Sequence, residues 1–303
     1  MNIRWILILA FTAGFAAGCG GGIADSPLVT AKRSSFNVTR GIAGPERAPV
    51  GGPRERGGVG TFRGTILFDG PAPVAAAIDV TKSRDKFCIA NAKLIKDESL
   101  IVDPETRGVK NAVVYLLRKP AGYNAPVPEN AVRFSNRNCM FEPRILVLRV
   151  GQPVMIANDD ATSHNALISS LNALSAGFNQ SIAPGSTAKH VYGGRESIPV
   201  KVVCNVHPWM IAHHLPLDHE FFAVTDAKGQ FEIKRVPAGT HQFRVWHERR
   251  GYLEREISIT IKAGETLRRT FKYAPSKFAA FDGPAPKSVV VSLSKTSTRR
   301  FDP

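Results

Sequence analysis

Cys204-Asn-Val-His207-Pro-Trp-Met210 sets a thiol, an imidazole and a thioether within seven residues, directly after the run Val200-Lys-Val-Val203. A short apolar run bounded by turn residues reads as a strand, so the three side chains stand on a tight loop at a strand end. Upstream, Asn158-Asp-Asp-Ala-Thr-Ser-His164-Asn165 sets a second imidazole just past another strand, Val154-Met-Ile-Ala157. The same grammar extends in both directions. Thr61 to Phe68 precedes Asp-Gly-Pro, Asn111 to Leu117 reads as a buried strand, and Glu256 to Ile261 alternates cleanly. Arg144 to Val150 leads through Gly151-Gln152 into the strand before His164. Short strands punctuated by Gly, Pro and Asn-Asp turns imply β-sandwiches. Only Leu167 to Ala176 has the character of a helical turn or two. The expected fold class is all-β.

The chain has 303 residues, 43 % hydrophobic and 21 % charged, enough for two small β domains once its ends are set aside. That balance excludes collagen, coiled coil and disorder for the middle of the chain. Lys+Arg 40 against Asp+Glu 25 gives +15. Residues 20–58 carry six basic and three acidic residues, and residues 276–303 carry five and two, so the two tails supply +6 of this excess. No basic helix, RNA-binding aromatic motif or zinc finger is present, so no nucleic-acid partner is expected. No nucleophile–base arrangement, Walker loop or dinucleotide fingerprint is present either, and the chain is not expected to be an enzyme.

Two His, one Cys and a weak Met are the ligand set of a blue-copper electron-transfer centre. Soft sulfur suits Cu(I) and imidazole accepts Cu(II). With these residues in view, the sequence resembles the cupredoxins, and within them the amicyanin-like branch. Cys204, His207 and Met210 keep that branch's two-residue intervals, and His164 lies 40 residues before Cys204. Phe141-Glu-Pro143, Gly151-Gln152 and Asn158-x-Asp160 carry the same likeness, which covers residues 138–217. The resemblance implies one mononuclear copper centre, with His164, Cys204 and His207 in its plane and Met210 axial. It also implies that Asn165 ties the His164 loop to the Cys204 loop, and that Asn158, Pro208 and Trp209 surround the ligands. Pro208 and Trp209 would form part of an apolar face where a redox partner docks.

The amino terminus reads as an export signal. Met1-Asn-Ile-Arg4 is positive, and Trp5 to Gly18 is an uncharged run too short to span a bilayer comfortably. It ends in Ala16-Ala17-Gly18-Cys19, which resembles a bacterial lipoprotein signal with Cys19 as the lipidated residue, although Ala16 stands where that family usually has Leu. Ordinary cleavage beside Cys19 and a membrane-retained helix are the alternatives. Residues 20–58, rich in Gly, Pro and Arg, read as a flexible stalk. With Cys19 lipidated and Cys204 a ligand, Cys88 and Cys139 remain. In an oxidising compartment they pair as a disulfide stapling residues 70–110 to the cupredoxin entrance, or stay as two separate buried thiols.

Phe222 to Val245, with Thr225-Asp-Ala-Lys-Gly229-Gln-Phe231 and Pro237-Ala-Gly239, resembles the carboxypeptidase regulatory-like (transthyretin-like) sandwich. That family's opening strands are matched by residues 60–68 and 111–117, ahead of the copper region. The expected organisation is therefore signal 1–19, stalk 20–58, a discontinuous sandwich 59–137 and 218–275, an inserted cupredoxin 138–217, and a disordered basic tail 276–303. The competing organisation makes 111–117 the first cupredoxin strand. His213-His214 read as solvated loop residues, and Val245-Trp246-His247-Glu248 as a histidine hydrogen-bonded beside a buried Trp. The function expected is a lipid-anchored carrier of single electrons on the periplasmic or surface side of the outer membrane, serving an acidic redox partner. The alternative is a non-catalytic envelope binding or scaffold protein, in which the sandwich binds carbohydrate or another envelope component and the cupredoxin is structural or stores copper.

Overall fold

The computed structural model describes residues 57–279. The signal segment 1–19 with Cys19, nearly all of the stalk 20–58 and the tail from residue 280 lie outside the described residues, among which no helix is long and apolar enough to cross a membrane. Strands β1 (Val59–Phe68) and β2 (Val113–Leu116) are separated by a long connection holding one α-helix, α1 (Lys86–Ala90), between two short 3-10 turns. Nine strands follow without interruption by helix: β3 (Val132–Arg137), β4 (Met140–Glu142), β5 (Ile145–Arg149), β6 (Pro153–Asn158), β7 (His164–Ile168), β8 (Phe178–Ile182), β9 (Thr187–Val191), β10 (Val200–Val203) and β11 (Ile211–Leu217). The last five are β12 (Phe222–Val224), β13 (Gln230–Pro237), β14 (Gly239–His247), β15 (Gly251–Ile261) and β16 (Thr266–Tyr273). The protein is all-β.

These strands close two sandwiches. In one, a sheet of order β5-β11-β10-β7-β8 faces a sheet of order β4-β3-β6-β9, with Phe134, Leu148, Ile156 and Val202 between them. In the other, β12-β2-β14-β15 faces β13-β1-β16 over Phe62, Ile66, Phe231 and Phe243. The nine strands of the first stand in sequence between β2 and β12 of the second. Turn chemistry fixes the registers. At the β12–β13 turn, Asp226 Oδ1 accepts the N–H groups of Lys228 and Gln230, and Gly229 takes φ +73°. Gly108 lies against the same turn, where a Cβ would fall 2.0 Å from the Lys228 carbonyl, so only glycine fits.

Three expectations need correction. The boundary set at residue 138 moves to before Val132, because β3 runs parallel to β6 and antiparallel to β4, and its Phe134 stacks on Phe141 inside the nine-stranded core. The piece 59–137 is also not one body: Val80, Cys88 and Ile95 are buried in the nine-stranded core, and Val102 and Val109 in the seven-stranded one. Residues 167–176 hold no helix, since Leu167 and Ile168 complete β7 against β8 and β10. The helical turn lies instead at α1, where Asp85 is the N-cap and accepts the Cys88 N–H at 3.0 Å.

A third apolar cluster joins the sandwiches. Val113, Tyr115 and Trp246 from one sheet meet Ile145, Leu215 and Leu217 from the other. Beside it, Arg144 donates from Nε and Nη2 to the two carboxylate oxygens of Glu248, at 2.5 and 2.7 Å, with both side chains over nine-tenths buried.

Candidate metal centre

β10 lies between β7 and β11, so a residue opening β7, one following β10 and one preceding β11 meet at one end of the sheet. They are His164, Cys204 and Met210. The loop between Cys204 and Met210 is closed by its own backbone. Met210 N–H donates to the His207 carbonyl at 2.9 Å, and Cys204 N–H to the Met210 carbonyl at 3.2 Å. His207 thereby turns inward. Nδ1 of His164 and Nδ1 of His207 stand 2.9 Å apart, and Cys204 Sγ is 3.7 Å from His207 Nδ1. One donor atom from each of His164, Cys204 and His207 lies within 4.8 Å of the others, and all three residues are buried, as is Met210.

Both outer ring nitrogens face carboxylates. His164 Nε2 is 2.8 Å from Asp160 Oδ2, and His207 Nε2 is 3.2 Å from Asp85 Oδ2. A carboxylate only accepts, so each imidazole carries its proton on Nε2 and turns Nδ1 toward the thiol. That is the carboxylate–histidine arrangement that orients metal ligands. Two imidazole nitrogens and one thiol sulfur converging on one buried point, with Met210 closing the loop, are donors that fit a copper ion.

The loops are held by hydrogen bonds to backbone. Asn158 donates from Nδ2 to the carbonyls of Thr162 and Ile182, both at 2.8 Å, and accepts the Asp160 N–H. Asn165 N–H donates to Cys204 Sγ at 3.5 Å, and Asn165 Oδ1 accepts the Asn205 N–H at 2.7 Å, so the His164 and Cys204 loops are joined. Asp160 also accepts the N–H groups of Asn138 and Cys139, two left-handed residues at φ 52° and 55° in the tight β3–β4 turn. Cys139 is joined to Cys88 by a disulfide, with Cα atoms 5.7 Å apart.

Burial would raise the Cys204 thiol, but its contacts with both histidines and the Asn165 N–H outweigh it and bring the group down to about 6. Burial would likewise lower His164, yet Asp160 and Cys204 lift it to about 8. Asp85 and Asp160 sit below the ordinary carboxylate value: desolvation opposes this, and their hydrogen-bond donors prevail. The site thus gathers a thiol of lowered pKa and two carboxylates around its imidazoles. Anionic ligands of this kind attract a cation.

Its similarity is to cupredoxins of known structure. A purple cupredoxin from Nitrosopumilus maritimus is 20 % identical, covering 28 % of this chain and 99 % of that one at a TM-score of 0.24. The reduced P52G mutant of amicyanin is 17 % identical, covering 30 % and 86 %, at 0.27. The Cu-containing nitrite reductase from Thermus scotoductus SA-01 is 18 % identical, covering 34 % and 25 %, at 0.27. No family model and no curated relative matches the chain.

Pro208 is exposed, and Trp209 is half-buried, its ring 5.2 Å from that of His207 and its Nε1 donating to the Cys139 carbonyl at 3.0 Å. The adjacent histidines of β11 point to opposite faces and are not solvated loop residues. His214 is buried, 2.8 Å from the Tyr192 hydroxyl, and His213 packs edge-on to Trp246. His247 is buried against Phe278, and Glu248 belongs to Arg144. Asp85 was not among the residues singled out, and Asp160 entered only as part of the Asn158-x-Asp160 likeness. The interval Asp160 to His164 signals the second. The first has only a local signal, Asp85 three residues before Cys88, which reads as a helix cap.

Proposed function

We propose that His164, Cys204, His207 and Met210 hold one mononuclear copper ion, and that the protein carries single electrons between redox partners of the cell envelope. It acts as a carrier and not an enzyme. The observation supporting this reading is the convergence of two Nδ1 atoms and the Cys204 sulfur on one buried point, with both Nε2 atoms held by carboxylates. Copper on such ligands supplies a one-electron couple. The chain's own contribution is rigidity: Asp160 and Asp85 hold the rings, Asn165 holds the thiolate, and burial excludes water, so little moves when charge changes. Lipidated Cys19 would anchor the protein to the outer membrane, with residues 20–58 as its stalk. The excess of basic residues favours an acidic partner. The seven-stranded body, in this reading a carboxypeptidase regulatory-like sandwich, is the platform into which the cupredoxin is inserted.

The test is the visible spectrum of the full chain in detergent after addition of Cu(II). An intense thiolate-to-copper band is expected. Cys204→Ser should abolish it while the far-ultraviolet circular dichroism stays unchanged. A folded but colourless wild type would overturn the reading.

A further inference from the structure

His207 is wholly buried, and two of the groups that face its Nε2, Asp85 and Cys88, come from outside the nine-stranded sandwich. Asp85 stands at the start of α1, in the connection between β1 and β2, and divides its two oxygens. Oδ1 accepts the Cys88 N–H at 3.0 Å, capping the helix. Oδ2 accepts the Thr162 hydroxyl at 2.7 Å and faces His207 Nε2 at 3.2 Å. We infer that Asp85 is a positioning residue of the metal centre, holding the His207 proton on Nε2 and its lone pair on Nδ1, where a ligand is needed. The inference rests on the copper reading above and adds to it a residue 119 positions from Cys204.

A five-residue helix does not hold its place by its own hydrogen bonds. The anchor of α1 is the Cys88–Cys139 bridge, and Cys88 Sγ itself lies 3.5 Å from His207 Nε2. Cys139 in turn donates its N–H to Asp160 at 2.8 Å, and Asp160 faces His164. One covalent bridge therefore connects the holders of both imidazoles. Asp160 stays near His164 through the short loop they share. Asp85 has no such local tie to His207, and its reach depends on α1 being pinned.

Two variants test this in the full chain. Asp85→Asn keeps size and a good cap, but removes the charge and offers an N–H to Nε2. Asp85→Ser also keeps a cap and withdraws the carboxylate. In the metal-free protein, the nitrogen-15 shifts of the His207 ring report the tautomer directly. Wild type should show a single Nε2–H form, and both variants should gain the Nδ1–H form. On loading, affinity for Cu(II) should fall about 10–100-fold, in line with loss of a ligand's outer hydrogen-bond partner, and the reduction potential should rise as the imidazole becomes less basic. Asp85→Glu, which retains the charge, should restore the Nε2–H form. An unchanged His207 tautomer in both variants, or an affinity within about twofold of wild type, would overturn the role of Asp85. A colourless wild type would instead overturn the copper reading, while the metal-free tautomer would still decide whether Asp85 holds the ring.

Discussion

The two sandwiches follow the same rules of strand pairing and fill their interiors differently. The seven-stranded core is an aromatic lattice in which Phe62 meets Phe231 and Phe243 edge-on, each at 5.2 Å. The nine-stranded core buries His164, His190, His207, His214, Asp160 and Cys204 among its apolar residues. Burying polar groups costs free energy unless each finds a partner, and most here do: His164 with Asp160, His207 with Asp85, His214 with Tyr192. The contrast shows that one architecture serves two ends. In one body the buried histidines, His219 and His247, pack singly against Phe221 and Phe278; in the other, two histidines meet a thiol at one point.

The comparison is broken most forcefully on its apolar side. Phe243→Ala should cost about 3–5 kcal/mol in urea unfolding, because Phe62 loses an edge-on partner and a cavity is left in the core, while the thiolate-to-copper band of the folded protein stays in place. A band that disappears along with the ring would mean the two interiors are not independent. Next in size is the joint between the bodies. Glu248→Ala leaves the Arg144 guanidinium buried without its partner and should cost about 3 kcal/mol, read from the same unfolding curves. A loss below about 1 kcal/mol would mean that water reaches Arg144.

The smallest effect sharpens the contrast by pH. Burial, with smaller contributions from neighbouring charges, pushes His213 and His214 down to about 3, and His219 and His247 down to about 4. Each takes a proton near pH 6.5 when unfolded. Below that pH the unfolded chain binds more protons than the folded one, so stability falls as pH drops through 6.5 and continues to fall toward the folded values. His214→Phe removes one such proton. The slope of unfolding free energy between about pH 6 and 4 should become shallower by about 1.4 kcal/mol per pH unit. An unaltered slope would show that His214 titrates alike in both states.

What could be read from the sequence was what lies close together along it. Alternation marks β10 and the end of β15, and the intervals among Cys204, His207 and Met210 concern a single loop. β3 escaped notice because Val132-Arg-Phe-Ser-Asn-Arg137 has one large apolar side chain facing the core, and its place depends on β6 as a parallel partner. The helix α1 is only five residues long and has no repeating apolar face. Asp85 was the hardest to see. Nothing near it in the chain points to an imidazole, and only the folded connection and its bridge bring the two side chains together.

The strap from Gly70 to Lys110 has a consequence for how such a protein is cut and recombined. Residues 132–217 look like a portable cassette, continuous and closed by strand pairing. Moved alone into another chain, the cassette would carry Cys139 without its partner sulfur and His207 without its carboxylate. The smallest fragment that keeps the metal centre's walls whole must begin upstream of Asp85, inside the neighbour's loop. A graft of the site would therefore have to carry two separate stretches of the chain, the strap and the nine strands.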